Sequence, residues 1–159
     1  LTVSETAGLV KTHKDDLAGR YLTFTLGEAT YGVELLDVVD IITMQNITKV
    51  PNVPNYVNGI INLRGKIIPV IDMRLKFGLP PVEYEERTCI IVINIDKVQV
   101  GLIVDRVSEV QSFDTESLTL IPEFDQYNSN KYLGSVGRVG SKLVLNTDCR
   151  KIFNDDIGN

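Results

Sequence analysis

Cysteine and histidine, the side chains most often used to hold a metal or to attack a substrate, are scarce in this sequence of 159 residues, which contains one His and two Cys. Cys89 lies in the apolar run 88–93 and Cys149 in the polar run 148–151, and neither has a Cys or His at ligand spacing. That excludes a zinc site of the usual kind. With two cysteines and no secretion signal, both are expected to be reduced thiols of a cytoplasmic protein. His13 sits in the polar stretch 11–16, where a solvated tail is expected rather than the structured pocket a catalytic histidine needs. Asp37, Asp40, Asp105 and Glu109 fall in alternating apolar and polar segments, so a solvated face is expected in preference to paired acid–base work. The glycines of 134–140 superficially resemble a phosphate-cradling loop, but a strand at 142–145 follows where that loop requires a helix, and hairpin turns are expected instead. There is no Gly-x-Ser-x-Gly elbow and no His-Glu-x-x-His. No residue set has the pieces of a recognisable active site, and no catalytic residue, cofactor or metal is assigned.

The elements that surround these residues are mostly short strands. Residues 21–26 alternate strictly, with Leu22, Phe24 and Leu26 on one face, and 29–33 continue the alternation after Gly27. This is a hairpin with one buried face. Residues 59–63 and 66–71 flank Arg64-Gly65, and 90–95 and 98–104 flank Asp96-Lys97, which gives two more hairpins. Pro69 within such a run predicts an edge position or a bulge, because proline cannot donate to a ladder. Residues 72–78 read as a short helix capped by Asp72 and stopped at Gly78, and 147–153 as a second one. Segment 37–44 carries apolar residues at both parities, with Val39, Ile41 and Thr43 on one face and Val38, Asp40, Ile42 and Met44 on the other. Such a strand is either buried on both sides or presents one side to a partner.

Composition narrows the classes further. A chain of this length buries roughly 70% of its unfolded surface without staples. Sixteen Lys and Arg against 21 Asp and Glu, a net charge of −5, argue against a general nucleic-acid binder, as does an aromatic content of 7%. No apolar run approaches the roughly 20 residues that span a bilayer. Residues 1–19 contain no periodic apolar pattern and are expected to form a flexible lead-in.

The hairpins recur. Residues 23–32, closing on Gly32 and followed by Asp37-x-Val39, match 92–101, closing on Gly101 and followed by Asp105-x-Val107, at an offset of 69 between the hairpin glycines. Gly59, Asp72-x-Arg74 and Phe77 match Gly134, Asp148-x-Arg150 and Phe153 at offsets of 75 and 76. A drifting offset with a preserved order suggests a diverged duplication with extra residues around 111–131, although shared hairpin grammar would produce a similar pattern. Each copy is the size of a small five-stranded barrel.

Gly59-Ile60-Ile61-Asn62-Leu63-Arg64-Gly65, continued by Pro69-Val70-Ile71-Asp72, joins Tyr31-Gly32-Val33 upstream and residues 100–107 downstream. In these three blocks the chain, from about Arg20 to Phe153, resembles the CheW family of bacterial chemotaxis coupling proteins. The resemblance implies a mainly β fold of two small five-stranded, OB/SH3-like barrels with exchanged segments and short helices, including one at the C-terminus. It implies a tail at 1–19, a CheW-like unit at 20–153 and an end segment at 154–159. The implied function is that of a non-enzymatic cytoplasmic adaptor linking methyl-accepting chemoreceptors, through their cytoplasmic tips, to the regulatory domain of the histidine kinase CheA. Contact with the membrane would then be indirect. The positions matching the family's receptor-facing groove are Val38, Asp40, Gly59, Arg64 and Val110, while no kinase-facing residue is assigned. Val38 and Val110 would give apolar contact, Arg64 a multi-donor charge and Gly59 close backbone approach. Structural readings stand beside these: an ion pair of Arg64 with Asp40, and core packing for Val110. A chain that starts at Leu1 also leaves open a fragment of a larger signalling protein, either a kinase regulatory domain or an adaptor fused to a receiver domain.

Overall fold

The computed structural model of the chain describes residues 19–120 and 131–157. His13 and the lead-in therefore lie outside the described residues, as does the centre of the segment 111–131. Eleven strands are seen among the described residues: β1 (Arg20–Leu26), β2 (Ala29–Glu34), β3 (Val38–Thr43), β4 (Val57–Leu63), β5 (Lys66–Asp72), β6 (Cys89–Ile95), β7 (Val98–Val104), β8 (Arg106–Ser112), β9 (Leu118–Leu120), β10 (Leu133–Val139) and β11 (Lys142–Thr147). Two helices, α1 (Met73–Lys76) and α2 (Cys149–Ile157), follow β5 and β11. The three hairpins read from the alternation are β1–β2, β4–β5 and β6–β7.

The strands form two sheets, one of six strands in the order β8-β1-β2-β11-β10-β9 and one of five in the order β3-β6-β7-β5-β4. In the first, the β1–β2 hairpin from the front of the chain pairs with β8 on one side and lies parallel to β11 on the other. In the second, the β6–β7 hairpin from the back pairs with β3 and lies parallel to β5. Each half of the chain thus lends its first hairpin to the other half's strands.

The duplication extends to individual hydrogen bonds. Asp72 N donates to Tyr56 O at 2.8 Å, and Asp148 N donates to Tyr132 O at 2.8 Å, a pair displaced by 76 residues. Asp72 and Asp148 each accept the backbone N–H two residues on, at Arg74 and Arg150, and so cap α1 and α2 alike. Beyond β3, Thr48 exchanges two backbone bonds of 2.9 Å with Ile60 of β4, which joins the outer strands of the five-stranded sheet. Beyond β8, β9 takes the corresponding place on β10.

A shared core lies between the sheets. Leu22, Phe24 and Leu26 of β1 meet Ile91, Ile93 and Ile95 of β6 in one buried cluster, completed by Ile152 and Phe153 of α2. The alternate residues Ile90 and Val92 face a second cluster inside the five-stranded sheet, so β6 is buried on both sides. That accounts for its unbroken apolar sequence.

Two expectations need correction. Pro69 lies on an interior strand and not at an edge, although the β4–β5 ladder does carry a register shift, between Val57 and Gly59, one pair from Pro69; Pro69 is paired with Ile60, and the β5–β7 ladder begins only at Val70, so it stands outside the span where β7 needs a donor. The strict alternation expected of 37–44 is broken by a register shift between Val38 and Asp40, an extra residue that turns Val38 and Ile41 to the same buried side.

Candidate binding groove

Arg64 owes its position to the β4–β5 turn. Leu63 pairs with Lys66, and the two residues between them, Arg64 (φ 53°) and Gly65 (φ 84°), are both left-handed, as a two-residue hairpin turn of the I′ type requires. Glycine takes this conformation freely, whereas Arg64 does so at a cost of roughly 1 kcal/mol. Asn62 Oδ1 accepts the Gly65 N–H at 3.0 Å and holds the turn. The Arg64 side chain, 77% exposed, reaches across to β3, where its Nη1 lies 3.0 Å from Asp40 Oδ2. Asp40 is only 15% exposed and also accepts the Ile41 N–H at 2.9 Å, so the carboxylate is fixed and the guanidinium is tethered to it.

Around this pair runs a groove of about 310 Å³ lined by Val39, Asp40, Leu63, Arg64, Gly65, Lys66 and Gln99. Apolar side chains from β3 and β4 share it with the cations Arg64 and Lys66 of the turn.

Of the five residues expected at a receptor surface, the structure brings Asp40 and Arg64 together and separates the rest. Val38 is a correction: it is 6% exposed and packed in the shared core, because the shift in β3 turns it inward. Its neighbour Val39, 41% exposed, holds the groove position instead. Gly59 has φ 154°, and a Cβ there would sit 2.2 Å from Thr48 O. The close approach it permits is therefore internal, to the segment that joins β3 to β4. Val110 lies on the other sheet, opposite Leu22, half-buried against the shared core. Both structural readings of the sequence are present, the Arg64–Asp40 pair and the packing of Val110. Val39, Leu63, Lys66 and Gln99 were not anticipated; for Val39 the available signal was its neighbour Asp40, but the bulge that reorders the faces leaves no local mark.

The carboxylates expected on a solvated face are also partly accounted for differently. Only Glu109 is exposed; its backbone exchanges bonds of 2.6 and 3.0 Å with the Thr23 hydroxyl, which fills the bulge between β1 and β8. Asp105 receives two bonds from Arg74, Nε to Oδ1 at 2.8 Å and Nη2 to Oδ2 at 2.6 Å, and a third from the Gly27 N–H at 2.8 Å. The Arg74 bonds hold the Asp105 carboxyl below the ordinary aspartate range and raise the guanidinium in turn. This clamp ties α1 to the β1–β2 turn of the other sheet. Burial pushes the Cys89 thiol up to about 11 and Cys149 well above its usual value, so neither is a thiolate at neutral pH. Among the described residues no group of three or more His, Cys, Asp or Glu could hold a metal ion, and no helix is long and apolar enough to cross a membrane.

Two interlocked β sheets, with a tethered arginine at the rim of a surface groove and both cysteines buried and free, define a β-rich fold of paired sheets. The particular family follows from comparison: residues 20–156 match the CheW-like domain, and the chain belongs to that family. It is 36% identical over 155 residues to the chemotaxis protein CheW of Klebsiella aerogenes, covering 98% of this chain and 90% of that protein. It is 30% identical to the chemotaxis protein CheW of Treponema pallidum, covering 83% and 80%. Among solved structures, the scaffolding protein TtCheW from Thermoanaerobacter tengcongensis superposes with a TM-score of 0.76 at 32% identity, covering 85% of this chain and 87% of that one.

Proposed function

We propose that this chain is a non-enzymatic chemotaxis adaptor of the cytoplasm, one that couples methyl-accepting chemoreceptors to the histidine kinase CheA, with residues 20–153 as the working unit between a lead-in at 1–19 and an end segment at 154–159. The family match and the relatives named for chemotaxis support the reading. The observation that carries the site is the Arg64 turn: a non-glycine residue is kept left-handed, which places a tethered guanidinium at the rim of an apolar groove. Such a surface suits a helical receptor tip that brings an apolar residue to Val39 and Leu63 and a polar one to Arg64. Asp40 acts by holding Arg64, and Val110 belongs to the edge of the same receptor-facing side in this reading. The kinase is met elsewhere, through residues that remain unassigned.

Co-sedimentation with receptor-bearing membranes and the kinase is the test. The wild-type chain is retained by both. Arg64→Glu loses most receptor retention while kinase binding and the thermal transition stay as they were. Unchanged receptor retention, or a collapsed transition, refutes the role of Arg64, and no retention with either partner refutes the adaptor.

A further inference from the structure

The β4–β5 turn has a counterpart in the duplicated half, and the two differ as a set. Val139 pairs with Lys142 across the β10–β11 turn as Leu63 pairs with Lys66, and the step of 76 residues between the caps Asp72 and Asp148 also relates these pairs. On that step Asn62 becomes Arg138 and Arg64 becomes Gly140, while Asp40, on the step of 68 from Asp37 to Asp105, becomes Ser108. The counterpart turn is the relaxed one: Gly140 (φ 63°) takes the left-handed position without a Cβ, and Ser141 beside it is not left-handed. The β4–β5 turn holds both Arg64 (φ 53°) and Gly65 (φ 84°) in that region. A hairpin of this fold therefore closes without a strained arginine.

Asn62 supports the strained turn. Its Oδ1 accepts the Gly65 N–H at 3.0 Å, a donor that lies in the turn and outside the ladder. The Asn62 side chain is exposed, so burial gives no reason for an amide at this position. Asn62 thus holds the backbone from which Arg64 projects, and Asp40 Oδ2, 3.0 Å from Nη1, holds the far end of the side chain. Root and tip of one guanidinium are fixed, and all three residues are missing together where the turn is built on Gly140. Backbone strain of this kind persists only where the surrounding structure over-determines it.

We propose that Asn62 is a positioning residue of the receptor groove, one that sets receptor affinity through Arg64 by keeping the β4–β5 turn in its strained form. The inference rests on the reading of the groove as the receptor site. Without the Asn62 bond the turn visits relaxed conformations that carry the guanidinium away from Val39 and Leu63, and the apparent affinity falls with the competent fraction. Loss of one net hydrogen bond shifts that balance about two- to tenfold.

Titration of the full chain onto receptor-bearing membranes, with kinase retention measured alongside, tests this as a double-mutant cycle. Asn62→Ala is expected to weaken receptor binding about two- to tenfold and to leave kinase retention as it was. Asn62→Asp, which keeps an acceptor for the Gly65 N–H, restores the binding. In an Arg64→Ala background, Asn62→Ala has no further effect. An effect that persists undiminished beside Arg64→Ala makes Asn62 a direct contact and overturns the proposal, as does an Asn62→Ala chain that binds like the wild type while Arg64→Ala does not. An Arg64→Ala chain that binds like the wild type overturns the groove reading itself, and the role of Asn62 with it. The Gly65 amide proton gives a reading that needs no receptor: by NMR it exchanges faster in Asn62→Ala and is protected again in Asn62→Asp. Equal exchange in all three chains shows that the bond does not hold the turn and overturns the proposal.

Discussion

Replacing Asp105 by Asn removes the charge on which Arg74 closes while keeping the shape of the side chain. In the wild type two donors of Arg74 and the Gly27 N–H converge on one carboxylate, at 2.6 to 2.8 Å, with the two ionic side chains 16% and 26% exposed. An exposed ion pair contributes about 0–1 kcal/mol, and breaking a fully buried one costs about 3–5 kcal/mol. With 16% and 26% of the two side chains in contact with solvent and a bidentate geometry, the expected loss lies between these limits, at about 2 kcal/mol at pH 7. For a domain of this size that lowers Tm by roughly 4–8 °C. The pH dependence is the more demanding part. The folded pKa of Asp105 lies below its unfolded value of about 3.9, so the clamp's contribution is present above that pH and fades as pH falls through the folded value. Urea unfolding of wild type and Asp105→Asn from pH 7 to pH 3 therefore gives a stability difference that shrinks towards zero in acid. A difference under about 0.5 kcal/mol at pH 7, or one that is equally large at pH 3, refutes the reasoning.

Three other outcomes are expected. Gly59→Ala loses several °C in Tm, because its Cβ would meet Thr48 O at 2.2 Å in a left-handed backbone; an unchanged thermal melt would show that the Thr48–Ile60 bridge moves freely. Val38→Ala destabilises by about 2 kcal/mol in urea titration with receptor binding retained in the folded protein, while Val39→Asp leaves the melt in place and weakens receptor co-sedimentation, and the reverse pattern would restore Val38 to the surface. Iodoacetamide at pH 8 leaves Cys89 and Cys149 unmodified in the native protein, as read by mass spectrometry, and labels both in urea.

Local pattern carried the reading of local elements. Alternation marks β1 at Leu22, Phe24 and Leu26, and the Asp72 and Asp148 caps are legible because each side chain bonds its own next turn. The groove was half legible. Arg64 stands out in its turn, but the inward rotation of Val38 depends on one bulge against β6, and a pairing partner about 50 residues away leaves no trace in residues 37–44. β8 and β9 escaped as strands for the same reason: β8 runs into the segment 111–131, which read as added loop, β9 lies within it, and they exist by pairing with β1 and β10. The exchange of hairpins between the sheets entered through the family resemblance, since spacing alone offers no way to choose which hairpin joins which ladder.

That reciprocal exchange has a consequence for how the chain comes together. Half of the sequence, cut between α1 and β6, would leave the β1–β2 hairpin without β8 and β11, and β3, β4 and β5 without β6 and β7. Two identical halves could meet that deficit only by strand-swapping as a symmetric dimer, whose stability would depend on protein concentration. Residues 77–88 make the same assembly intramolecular. The fold is in this sense a covalently closed dimer of its own repeat, free to diverge on its two faces because the partner can no longer dissociate.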